Sequence, residues 1–218
     1  VVSYKYIKQV AILSALVSVG GGSWWGYSWY TIQRERRAQL AFAEAYEEYQ
    51  KALMLLLQNP KATEELKQRW DDAGLAFKVS YKAGQHAALA PYVMAFQADA
   101  LIHQGKLDKA LELMTEVLKT LPKTSPLYAI YEIKYSLMQL DSADRVNDGM
   151  VLLHKCATDT HNKLRDQALY YEGMYYWAHN EVIKAKKIWE ELVTLYDITR
   201  KGKSPWAVEA HQLLSYIP

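Results

Sequence analysis

Ala98, Gly105, Leu107 and Ala110 recur 75 positions later as Gly173, Asn180, Val182 and Ala185. No other feature constrains the chain as much, because self-similarity at a fixed displacement means a stack of like units. The displacement equals two helix-turn-helix units of about 34 to 40 residues each. A weaker copy lies between them: Ser136, then Val146 and Gly149 after a short insertion rich in Asp and Ser. The pattern has a physical reason. A small residue in each of two successive helices lets them approach closely, and Gly or Asn between them supplies the left-handed backbone of the turn. Pro122, after the second helix, begins the step to the next pair.

Helical periodicity extends beyond these copies, and no stretch alternates with period two between β-type turns. An amphipathic helix is expected over 35–57, with Leu40, Ala43, Tyr46, Tyr49, Leu53 and Leu56 on one side and Asn59-Pro60 closing it. A second is expected from Ala62 to Lys82, with Leu66, Trp70, Ala73, Phe77 and Tyr81 at spacings of three and four and Gly84 as a stop. Ser204-Pro205-Trp206 opens a final capping helix, with Ser204 as N-cap and Pro205 at the first helical position.

Residues 10–33 carry no charge. As a helix they are about 36 Å long, against a hydrocarbon core of about 30 Å. The first half is aliphatic (Ile12, Leu13, Leu16, Val17, Val19), and the second holds Trp24, Trp25, Tyr27, Trp29 and Tyr30, like an aromatic belt at headgroup depth. Lys5 and Lys8 precede the run, and Arg34, Arg36 and Arg37 follow it. A single membrane span over 9–33 is the leading expectation. A cleaved signal peptide ending near Gly20–Gly22, or a buried core helix, are the alternatives. The expected organisation is therefore an anchor over 1–34, a helical pair over 35–90, repeats over 91–200 and a cap over 201–218. The fold class is all-α.

The composition points away from other classes. A net charge of +2 is too small for a nucleic-acid footprint, and a lone cysteine, Cys156, forms no internal disulfide. Cys156 reads as a small buried hydrophobe. His154, Cys156, Asp159 and His161 match no closed zinc spacing. The acidic pairs Glu47-Glu48, Glu64-Glu65, Asp71-Asp72 and Glu190-Glu191 point about 100° apart on a helix, so they read as solvated faces rather than acid/base couples. Neither an enzyme nor a metal or other cofactor is expected.

Pro91–Pro122, with Ala98, Gly105, Ala110 and Pro122 in place, resembles the tetratricopeptide repeat. Asp166–Asp197 is similar, with Gly173, Tyr176, Asn180 and Ala185. Gln97 and Glu172 stand where that family prefers an aliphatic residue, and the middle copy lacks the turn glycine. The order of a basic-flanked span, a helix continuing out of it and degenerate repeats resembles the YfgM-like ancillary subunits of the bacterial SecYEG translocon. That resemblance implies an inner-membrane protein with periplasmic repeats, associating with translocon subunits and a membrane-anchored chaperone. The visible flanking charges, two Lys before and three Arg after, slightly favour a cytoplasmic C-terminal domain instead. A cytoplasmic adaptor, an adaptor in envelope assembly and a secreted repeat protein are the other readings.

Repeat arrays bind along the face made by the first helix of each pair. In this register the face holds Tyr92, Asp99 and Ile102, then Ile130, Ile133 and Leu137, then Gln167, Tyr170, Met174 and Trp177. Such a lining suits an apolar helix or extended segment of another protein.

Overall fold

The computed structural model describes residues 4–196 and 204–217, with side chains from Trp24 onward. The described residues are helical throughout, with no strand: α1 (Tyr4–Gln58), α2 (Thr63–Gly84), α3 (Ala90–His103), α4 (Leu107–Thr120), α5 (Pro126–Leu140), α6 (Val146–Thr158), α7 (Arg165–Ala178), α8 (Val182–Leu195) and α9 (Pro205–Leu214). The chain divides into two compact units, Val1–Ala100 and Leu101–Pro218.

In the first unit, α1 and α2 form an antiparallel hairpin along a seam of small residues. Ala38, Ala45 and Ala52 are seven apart on α1 and all buried. Ala38 lies against Gly84, where an added Cβ would come within 2.7 Å of the alanine Cβ. Ala45 shares a cluster with Phe77, and Ala52 one with Leu66, Trp70 and Ala73. Trp70, Phe77 and Gly84 are also seven apart, so two heptad stripes meet, as in a coiled-coil seam. Hydropathy alone places α1's buried side on the larger residues. The structure corrects this in part: Tyr49, Leu53 and Leu56 do pack against the core, but Leu40 and Ala43 are exposed, and the alanines form the seam because only a methyl group fits so close a helix pair. The larger α1 residues flank the seam instead. Phe42, Tyr46 and Tyr49 join Trp70, Phe77 and Phe96 of α3 in an aromatic cluster with ring centroids 5.3–6.2 Å apart.

The boundaries of this hairpin follow the sequence signals. The helix α1 ends at Gln58, just before Asn59-Pro60, and Gly84 closes α2. The expected span and the helix over 35–57 are one continuous rod in α1, 55 residues and about 80 Å long. Among the described residues, no helix is long and apolar enough to cross a membrane. The side chains of the apolar run up to Ser23, Gly20–Gly22 included, lie outside the described residues.

In the second unit α5 pairs with α6 and α7 with α8, and α9 packs on α7 and α8. The 75-residue recurrence holds down to the hydrogen bonds of the turns. Gly105 has φ 71° and Asn180 has φ 60°. The Lys106 amide donates to Leu101 O at 2.9 Å, and the Glu181 amide to Tyr176 O at 2.8 Å. The Gly105 and Asn180 amides donate to Ile102 O and Trp177 O, completing a Schellman closure at each turn. The middle turn has no left-handed residue, and the Asp-Ser insertion carries it in right-handed backbone, Asp141 having φ −80°.

Small residues then set how closely each pair packs. A Cβ on Gly149 would stand 2.8 Å from Ser136 O and 2.9 Å from Leu140 N, so α6 lies on the backbone of α5. A Cβ on Gly173 would meet the indole of Trp189 at 2.2 Å. Trp189 is fully buried, and its Nε1–H donates to Tyr170 O at 3.2 Å, so the ring has little freedom to yield. At the C-terminal cap, Ser204 Oγ accepts from the Ala207 amide and donates to Asp166 at 2.6 Å. That pins α9 so that Ala207 and Ala210 enter the core.

Gly173→Ala is therefore expected to destabilise the protein by about 1–3 kcal/mol through overpacking. Gly26→Ala, whose Cβ would meet nothing within 4 Å, should be neutral or stabilising by up to about 1 kcal/mol. Chemical denaturation of the two variants measures the contrast.

Candidate protein-binding surface

The residues expected on the binding face divide between the two units. In the first, Tyr92 is half-buried, and Asp99 accepts a short hydrogen bond from Tyr49 Oη of α1. Burial and this carboxylate together push the Tyr49 phenol well above its usual range. Asp99 is thus tied into the fold rather than left open for a partner.

In the second unit Ile102 is half-buried and Ile130 is exposed. Ile133 is 1% exposed and packs in the core with Leu153 and Cys156. Its expected role on the surface is corrected: the tight α5–α6 pairing at Gly149 turns it inward. Leu137 is half-buried against the same core. On α7, Gln167 is half-buried, and Tyr170, Met174 and Trp177 lean on the core with part of each side chain still accessible. Tyr170 meets the Trp206 ring of α9 at 5.1 Å, and Trp177 meets Trp189 at 5.9 Å. The capping helix thus takes a share of the aromatic surface that the repeat register assigned to a partner.

Some functional-looking features were not legible in the register. Leu75 and Val79 stand one turn apart on α2, 61% and 59% exposed, off the heptad seam. A cleft of about 400 Å³ opens where the start of α5 meets the end of α6, lined by Tyr128, Glu132, Lys155, Cys156, Asp159 and His161 among others. Within it Lys155 Nζ lies 3.1 Å from Glu132. Glu172, the departure from an aliphatic position, is buried and accepts from His154 Nδ1 at 2.8 Å, linking α7 to α6. His154 is thus engaged with Glu172, and His161 lies beside Asp159. Among the described residues no group of three or more His, Cys, Asp or Glu is placed to hold a metal ion.

The chain is similar to a putative kinesin light chain from Podosopora anserina with nearly identical TPR-like repeats. Identity is 16%, coverage is 80% of this chain and 85% of that one, and the TM-score is 0.54. It is also similar to BtubC (BKLC) from P. vanneervenii, at 15% identity over 84% of this chain and 82% of that one, with a TM-score of 0.50. No protein-family model and no curated protein matches the chain. The fold is an all-α, tetratricopeptide-like stack of helical hairpins.

Burial, with the nearby Glu132 carboxylate, pushes the Cys156 thiol up to about 12. Raising a thiol's pKa lowers its thiolate fraction at neutral pH, and the thiolate is the reactive form. Alkylation of the folded chain at pH 8 should be about a thousandfold slower than that of an ordinary exposed thiol. It should reach the ordinary rate in denaturant, as followed by intact mass.

Proposed function

We propose that this protein is a membrane-tethered scaffold that binds other proteins through its helical-hairpin stack. The observation that carries the binding half is the partly accessible apolar surface on the first helices of the second unit: Ile130 on α5, and Met174 and Trp177 on α7. Aromatic side chains of this kind supply large contact area and are frequent binding hot spots. Solenoid arrays use this face for extended or helical segments of partners.

A different observation supports the tether. Trp24, Trp25, Tyr27, Trp29 and Tyr30 are all more than half exposed on α1. At 100° per residue they surround the helix rather than forming one stripe. A one-sided stripe would suit docking to a protein, whereas an all-round belt suits the water–lipid interface. The aliphatic run just before it and the arginines just after it fit the same reading. The finer form, in which the repeats face the periplasm and assist the Sec translocon or a membrane-anchored chaperone, rests on the order of span, helix and repeats.

Two measurements test the halves separately. The full chain should stay in the membrane pellet after carbonate extraction, and release into the supernatant would overturn the tether. A photo-crosslinking residue at Ile130 or Met174 should trap a defined protein in membranes, whereas one at the buried Trp189 should trap none. Equal labelling from all three sites would overturn the binding surface. An alkaline phosphatase fusion at the C-terminus should be active if the repeats are periplasmic and inactive if they are cytoplasmic.

A further inference from the structure

A cavity of about 250 Å³ lies in the first unit directly below the aromatic belt, between α1 and the end of α2. Its lining combines Trp29 and Tyr30 with Arg34, Arg37, Lys82 and His86. Basic side chains from two helices thus converge on one hollow, and no acidic residue lines it. The carboxylate closest in sequence, Glu35, is otherwise engaged, accepting from the Ala88 amide through both oxygens at 3.2 Å. It reaches Arg34 only at 3.6 Å. The Arg34 Nε is buried with no hydrogen-bond partner. A buried donor of this sort calls for an acceptor. The carbonyls at the end of α2 oppose an anion there, but that dipole effect is small beside three full positive charges.

We propose that this cavity binds the phosphate of an anionic phospholipid headgroup, with Arg34, Arg37 and Lys82 as the cationic ligands. The inference rests on the membrane tether above and adds a lipid specificity to it. Position argues for a lipid rather than a free anion. Arg34 follows Tyr30 by one turn, about 6 Å along the helix, so a belt at headgroup depth sets the cavity at phosphate level. Arginine suits the task because its planar fork meets phosphate oxygens in pairs. Trp29 and Tyr30 cover the cavity on the side of the belt and would pack on the glycerol and upper acyl region.

Native mass spectrometry of the detergent-purified full chain tests this, with phosphatidylglycerol, phosphatidylcholine and inorganic phosphate added in separate titrations. Phosphatidylglycerol should be retained in preference to phosphatidylcholine, and inorganic phosphate should bind far more weakly than the lipid. Arg37→Gln with Lys82→Gln, both exposed positions, should weaken phosphatidylglycerol retention by roughly twenty-five-fold, about fivefold per cation. Arg34→Gln alone should weaken it by about fivefold. Arg36→Gln, next in sequence but outside the cavity, should change it little. An equal loss from Arg36→Gln, equal retention of the two lipids, or binding of inorganic phosphate as tight as that of the lipid would each overturn the headgroup site. Flotation with phosphatidylcholine vesicles separates this from the tether. A chain that floats yet shows no preference refutes only the headgroup site, and a chain that does not float refutes the tether itself.

Discussion

Close approach between helices, made possible by a small or missing side chain on one and met by a large ring or the backbone of the other, underlies the α1–α2, α5–α6 and α7–α8 pairs. Gly173 against Trp189 is the sharpest case, since the indole occupies the space where any Cβ would be. Gly149 plays the corresponding part with backbone instead of a ring. Along α1 the alanine heptad does the same over a longer contact, with Trp70 and Phe77 filling in from α2 and its flanks. Each hairpin is too thin to bury its apolar face alone. A close fit between neighbours is what turns a row of marginal helices into a core.

That packing also decides which surfaces remain for function. In the second unit, drawing α5 and α6 together takes Ile133 into the core and leaves Ile130 outside. Docking α9 through the Ser204–Asp166 bond puts Trp206 on Tyr170, so α9 covers part of the aromatic surface of α7. In the first unit, the proposed tether, the basic cavity and the alanine seam follow one another along the same continuous helix. A membrane holding the belt would therefore hold the α1–α2 hairpin at a fixed depth.

Much of the fold was legible in the sequence because its rules are local. The positive φ at Gly105 and Asn180, the N-cap at Ser204 and the stops at Asn59-Pro60 and Gly84 all follow from residue types at the site itself. The buried face of α1 is only partly legible, for a different reason. Hydropathy ranks Leu40 and Tyr46 above alanine, yet a close seam selects for size, and size matters only once the partner helix is known. Binding residues were harder still. Whether Asp99 or Tyr170 faces a partner depends on Tyr49 and Trp206, neither of which lies near it in the repeat register. The basic cavity needed α1 and the end of α2 brought together across about fifty residues of chain, a juxtaposition no periodicity announces.

A double-mutant cycle joining Gly173→Ala and Trp189→Leu tests the role of close approach most directly. If the absent Cβ exists to admit the indole, removing the ring should relieve the added methyl. The two changes should then couple by at least about 1 kcal/mol, with the double variant less destabilised than the sum of the singles. Strict additivity of the two would mean that Gly173 is small for some other reason, and that the packing described here is not what holds the hairpins together.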